Sequence, residues 1–226
     1  MLVLALDTST FVGTIAVLRD GALLAEWSAS VRATHGETLL PHVARAFDQA
    51  GVHARELDLI AVGIGPGSFT GTRIGMATAK GLALAEGKPL RGVSSLQAIA
   101  AGMPGGQLRA VAVDAQKGEL YCALYEAGAD GVEERVAPFH ALPAEAAARL
   151  AAHGPVWLAG DGAERYPEFA QGLSYTRAPK LCDVPRGAVL AHEGARAFKL
   201  HGPSDLASLE PLYVRPSDAK LPTKPQ

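Results

Sequence analysis

The sequence predicts an α/β protein made of two related halves, and three observations carry that expectation. Short apolar runs rich in aliphatic residues alternate with longer segments whose apolar residues recur at helical spacing. One run, LVLALD at 2–7, ends on Asp7, and another, RAVAVD at 109–114, ends on Asp114. Sliding the chain by 107 positions puts Asp114 on Asp7, Ala112 on Ala5, Ala123 on Ala16 and Gly128 on Gly21, with Leu4/Val111, Leu6/Val113 and Val17/Leu124 as apolar equivalents. Self-similarity of this kind points to a duplicated unit, and 226 residues leave room for two small lobes. The expected division is an amino-terminal lobe over 1–104, a carboxy-terminal lobe over 105–215 and a loose Pro/Lys tail over 216–226.

Each element follows from local chemistry. LVLALD suits a buried strand whose end opens at a cleft. Residues 12–30 read as two strands joined at Asp20-Gly21, a dipeptide that favours the hairpin turn. Leu39, Leu40, Val43 and Phe47 lie at helical spacing within 36–50, with Pro41 near the first turn and Gly51 as the stop. A buried strand, LDLIAVGIG, precedes a glycine-rich turn and a helix over Thr70–Ala85; PLRGVSS and LQAIAA add another strand and helix. The first hundred residues thus read βββαβαβα. In the second half, residues 109–128 repeat the opening hairpin, PAEAAARLAAHG is a helix, VWLAGDGAE is a strand entering a turn, and GAVLAHEGARAFKLHG is a late helix.

Composition narrows the function classes. Hydrophobic residues make up 48% and charged residues 19%, which describes a well-buried globular chain. A net charge of −2 argues against a free-standing nucleic-acid binder, so any RNA contact needs a partner. Cys122 and Cys182 stand in neither a redox nor a zinc spacing and read as buried, reduced thiols. The apolar amino terminus is short, lacks a basic region and meets Asp7 at once, and no apolar run reaches the ~18–20 residues of a membrane span. A cytoplasmic protein with no membrane contact is expected.

The stretch IGPGSFTGTRIGMATAKGLALAEG at 64–87 is the most informative. Gly63, Gly65, Gly67 and Gly71 fit no Walker A spacing, and a dinucleotide pattern counted from Gly65 ends on Thr70 instead of glycine. Beyond the turn, Gly71, Gly75, Ala79 and Ala83 recur every four residues, a side-chain-poor stripe that lets another backbone approach closely. Thr78, Gly81, Leu82 and Ala85 make the other faces smooth or apolar too, which predicts burial on two sides, one against the chain's own sheet and one against another subunit.

Two halves with an acidic residue at the end of each first strand resemble the actin/Hsp70-like superfamily of duplicated, two-lobed folds. Within it, LALDTS, HGETLLPHV, GIGPGSFTGTRIGMATAKGLA and PLYVR, in that order along nearly the whole chain, resemble the bacterial TsaB (YeaZ-like) family. That resemblance implies a non-catalytic partner of TsaD in making N6-threonylcarbamoyladenosine at position 37 of tRNAs that read codons beginning with A. It implies that TsaD holds ATP and the metal ion, that a TsaE-like ATPase joins, and that tRNA is met only through the complex. The interface is expected on the first two helices, at Leu39, Leu40, Val43, Phe47, Gly71, Gly75, Thr78, Ala79, Leu82 and Ala83, with a homodimer through the same face as a further possibility.

Chemistry in the chain itself is sparse. In a kinase-like site of this superfamily, carboxylates at Asp7 and Asp114 would hold magnesium through water, the hydroxyls of Thr8 and Ser9 would meet phosphate, and Gly160 and Gly162 would flank adenosine. These six residues are the candidate vestigial nucleotide site. Each Asp can equally close its strand by accepting turn amides. TsaD carries an H-x-x-x-H metal pair where this chain has GVSSLQAIAAG, and no two histidines here are four apart; His35 and His42 are about 10 Å apart along a helix. No metal ligand set, no catalytic residue and no cofactor of its own is expected. Two other classes stay open, an independent small-molecule kinase or ATPase using Asp7, Thr8 and Asp114, and a peptidase, for which Ser68 in GPGSF supplies no nucleophile elbow.

Overall fold

A computed structural model describes residues 1–30 and 35–215; the tail expected over 216–226 lies outside the described residues. The first half runs β1 (Leu2–Asp7), β2 (Val12–Arg19), β3 (Ala22–Ser30), α1 (His35–Ala50), β4 (Leu59–Gly63), α2 (Phe69–Glu86), β5 (Leu90–Val93) and α3 (Ser95–Ala101). The second runs β6 (Leu108–Asp114), β7 (Leu120–Gly128), β8 (Gly131–Ala141), α4 (Pro143–Ala151), β9 (Val156–Ala159), two short helices α5 (Gly162–Arg165) and α6 (Pro167–Gln171), β10 (Tyr175–Arg177) and α7 (Gly187–His201). The strand orders are β3-β2-β1-β4-β5 and β8-β7-β6-β9-β10, one topology used twice. In each sheet the three consecutive strands pair antiparallel and the later two add in parallel. This is the duplicated, two-lobed α/β fold expected of an actin/Hsp70-like chain.

Local chemistry explains the elements. Asp20 and Gly21 both take positive φ, 51° and 83°, which the tight turn between β2 and β3 requires. Ser68 caps α2 by accepting from Gly71 N, and Gly87 closes it in the left-handed conformation at φ 62°. α1 begins at His35, so Pro41 stands in its second turn and not near the first.

The unbroken apolar reading of β1 has a simple cause: both faces are covered. Leu2, Leu4 and Leu6 point into one core with Leu39 and Val43 of α1 and Ala79 and Ala83 of α2. Val3 and Ala5 point into another with Leu190 and Ala191 of α7. The second sheet repeats the arrangement. Ala110 and Ala112 meet Ala146, Leu150 and Phe169 of α4 and α6, while Val111 and Val113 meet Leu96, Ile99 and Ala100 of α3.

The sheets divide between residues 1–104 and 105–215, but the packing of the helices crosses that line. The last helix of each half crosses over, so that α3 covers the second sheet and α7 covers the first. Residues 204–213 also return to the first lobe, where Ser204 N donates to Leu90 O at 2.8 Å and Leu212 N to Ile64 O at 2.7 Å. Sequence halves and structural lobes therefore coincide for the sheets but not for the helices that seal them. No helix among the described residues is long and apolar enough to cross a membrane.

Candidate functional site: the cleft and the outer face of α2

A cleft of about 1110 Å³ lies between the lobes. Of the six candidate nucleotide residues it brings together only Ser9 and Asp114; Asp7, Thr8, Gly160 and Gly162 do not line it. Asp7 is fully buried. Its Oδ1 accepts from Ser9 N and Ser9 Oγ, each at 2.7 Å, and its Oδ2 accepts from Ser95 Oγ at 2.5 Å. Thr8 Oγ1 donates to Gly71 O at 2.7 Å. These groups hold the end of β1 against the starts of α2 and α3.

The second lobe is similarly committed. Asp114 Oδ1 accepts from Gln116 N at 2.9 Å and from Tyr166 OH at 2.7 Å, and its Oδ2 accepts from Gln116 Nε2 at 2.9 Å and faces Arg165 at 3.4 Å. Burial, together with that donated hydrogen bond, pushes the Tyr166 phenol up to about 12. Asp161 accepts from Asp114 N and binds Arg165, while Gly160 N donates to Asp183 Oδ1 at 2.8 Å. At Gly160, φ is 98° and an added Cβ would fall 2.0 Å from Ala112 O; at Gly162 it would fall 2.9 Å from Leu120. Both glycines serve close packing on β6 and β7.

Such a donor set does not fit a magnesium nucleotide. The turn amide at Gly160 already holds Asp183, Asp114 and Asp161 are engaged by Arg165 and Asp183 by Arg177, and Asp7 is fully buried and does not line the cleft. Among the described residues no group of three or more His, Cys, Asp or Glu is arranged to hold a metal ion. His42 stacks on Trp27 with ring centroids 3.9 Å apart.

The glycine turn and stripe also resolve into packing. An added Cβ would fall 2.2 Å from Ser9 O at Gly67, 2.1 Å from Thr8 O at Gly71 and 2.4 Å from Thr8 Oγ1 at Gly75. Ala79 and Ala83 are buried in the same core, as are Leu39 and Val43. Leu39, Val43, Gly71, Gly75, Ala79 and Ala83, expected at an interface, are thus packed inside this lobe. Phe47 and Leu82 pack on that core from its edge, and Thr78 is half-buried.

What remains open is the opposite side of α2. Thr70, Ala77, Gly81, Leu84 and Ala85 are exposed, Leu84 to 71%, and a Cβ at Gly81 would meet nothing within 4 Å. On α1, Leu40 is 52% exposed. The surface has few large side chains besides Leu84; exposed Arg73 lies within it, between Thr70 and Ala77, and half-buried Lys80 borders it. Sequence reasoning also missed the aromatic group at the start of α2, where Arg73 lies 3.7 Å over the Phe69 ring and donates to Tyr213 OH at 2.8 Å.

With this geometry in hand, the chain can be set beside known proteins. A family model described as "TsaD: tRNA N6-adenosine threonylcarbamoyltransferase" matches residues 28–200. The chain is 30% identical over 233 residues to the tRNA threonylcarbamoyladenosine biosynthesis protein TsaB of Escherichia coli (strain K12), covering 99% of this chain and 100% of that protein. It is 36% identical over 139 residues to TsaB of Bacillus subtilis (strain 168), 61% of this chain and 60% of that one. A solved Pseudomonas aeruginosa structure, described as an uncharacterized protein with similarity to peptidase YeaZ, superposes with a TM-score of 0.84 at 28% identity, covering 95% of this chain and 99% of that one.

Proposed function

The chain belongs to the TsaB family of tRNA threonylcarbamoyladenosine biosynthesis proteins, and on that premise we propose that it is the docking subunit of a TsaD-like transferase. The observation that carries this reading is the second apolar side of α2. One side is spent inside the lobe, while the other offers Thr70, Ala77, Gly81 and Leu84 on one face. Glycine and alanine there let a partner helix come close. An 18-residue helix is about 27 Å long, so together with Leu40 of α1 it has the reach of an interface burying ~800 Å² per partner.

In this role the chain contributes surface and not chemistry. ATP and the metal ion belong to the TsaD-like partner, whose nucleotide site or tRNA surface is held in its active arrangement by docking. A TsaE-like ATPase joins the pair, and tRNA is met through the complex. A second copy of the chain can occupy the same face when the partner is absent, which makes homodimer and heterodimer competitors.

The test is a copurification of the full chain with its TsaD-like partner. Ala77→Glu combined with Leu84→Glu puts two charges on the open face and touches no core residue. Loss of the complex with an unchanged melting temperature of the free chain is expected; an undiminished complex would sink the reading. Magnesium-dependent ATP binding by the free chain in calorimetry would count for the kinase alternative instead.

A further inference from the structure

Two of the links between the lobes differ in where they lie. The first is buried and away from the cleft: Glu193 of α7, 1% exposed, accepts from Gln97 Nε2 of α3 at 2.7 Å and from Arg196 at 2.9 Å, and Arg196 donates to Val132 O of β8 at 2.8 Å. None of these residues lines the cleft. A two-lobed molecule joined on one side only would open and close about that side.

The second tie lies at the cleft itself. After α7 the chain runs beside β5, where Gly92 N donates to Ser204 Oγ at 3.2 Å, and then along the first lobe, with Leu209 against its core. Leu212 N donates to Ile64 O at 2.7 Å and Tyr213 OH accepts from Arg73. Immediately afterwards the anchors change lobe. Val214 O lies 2.6 Å from His140 Nδ1 of β8, and Arg215 donates to Ala115 O at 2.8 Å and pairs with Glu119 at 3.4 Å. The last backbone anchor on one lobe, Leu212, and the first on the other, Val214, are two residues apart, a step that spans at most ~7 Å when fully extended.

We propose that residues 212–215 are a taut latch across the cleft, which holds the lobes at one angle and must let go of His140 and Arg215's partners before the cleft can widen. The release point follows from the contacts. On the first lobe the segment is held by backbone bonds, core leucines and the Arg73–Tyr213 hydrogen bond; on the second its contacts run through the His140 imidazole and the Arg215 guanidinium. A hinge opening about the Glu193 tie therefore breaks the second set first. The latch also ends on the residues that begin α2, because Tyr213 binds Arg73 and lies 6.0 Å from the Phe69 ring. Lobe angle and the start of α2 are thus mechanically connected. This inference goes beyond the docking reading and does not depend on it.

The experiment measures the distance between nitroxides carried on non-natural residues at Thr70 on the first lobe and Leu181 on the second, in the full chain. The parent protein is expected to give one narrow distribution. His140→Ala combined with Arg215→Ala is expected to broaden it and shift it to longer distance. A second variant, a chain ending at Pro211, removes the latch altogether and keeps the test decisive if the double substitution does not fold. Broadening in a folded variant supports the latch; a distribution unchanged in both width and mean in either folded variant overturns it.

Discussion

Thr8 Oγ1 lies 2.4 Å from the place that a Cβ on Gly75 would occupy, and that hydroxyl is already donated to Gly71 O. Both glycines of α2 are therefore needed for the approach of the helix to the end of β1. Gly81, one and a half turns on, faces open space.

The two positions should respond oppositely to the same change. Gly75→Ala is expected to destabilise the chain by ~2 kcal/mol, because overpacking outweighs the better helix propensity. Gly81→Ala is expected to stabilise it by ~0.5–1 kcal/mol. Urea unfolding of the two variants measures both, and a Gly75→Ala chain as stable as the parent would contradict the packing.

Asp7→Asn should cost ~2–3 kcal/mol, since Ser9 N, Ser9 Oγ and Ser95 Oγ all donate to the carboxylate and an amide NH₂ would face a donor. Chemical denaturation reads the loss. If the carboxylate instead served a ligand, its removal would relieve buried charge and raise stability.

Glu26 gives a pH-dependent prediction. Burial works to raise its pKa, but the hydrogen bond from Arg186 and the amide of Ala188 at the start of α7 overcome it and leave the carboxyl below its ordinary value. A depressed folded pKa adds stability above the ordinary carboxylate range and loses it as pH falls through the folded value. Glu26→Gln is expected to cost ~1–2 kcal/mol at neutral pH. The gap between parent and variant should close in acid, and a gap independent of pH would refute the assignment.

Cys122 is fully buried, and burial raises its thiol pKa. A water-soluble disulfide reagent should leave Cys122 unmodified in the native chain and react with it on denaturation. Rapid native labelling at that residue would show an opening that the packed second core does not permit.

Much of the fold was legible because its signals are local. The hairpin at Asp20-Gly21, the buried strands and the helix over residues 70–85 follow from turn chemistry and periodicity, and the 107-residue offset places β6 on β1. What stayed hidden is long-range. Nothing in GAVLAHEGARAFKLHG says that it seals the first sheet, because an apolar stripe does not name the surface it meets. The strand at Gly131–Ala141 carries Val132, Val136 and Phe139 inward but interrupts them with charge and proline. The stripe on α2 meets the same limit. Gly71, Gly75, Ala79 and Ala83 do mark close approach, yet spacing cannot tell a neighbouring strand from a neighbouring subunit. Asp7 and Asp114 end their strands as expected, but Ser95, Tyr166 and Arg165, which also engage them, come from distant segments.

The crossing of α3 and α7 sets the order in which the chain can be completed as it leaves the ribosome. The first sheet is synthesised early, yet the helix that shields one of its faces ends at His201. Until then Val3, Ala5, Leu59 and Ala61 have no cover on that side, and the nascent amino-terminal lobe carries a bare apolar surface for most of translation. Neither half can be cut free as an independent module, and a truncation before residue 187 exposes the part of the molecule made first.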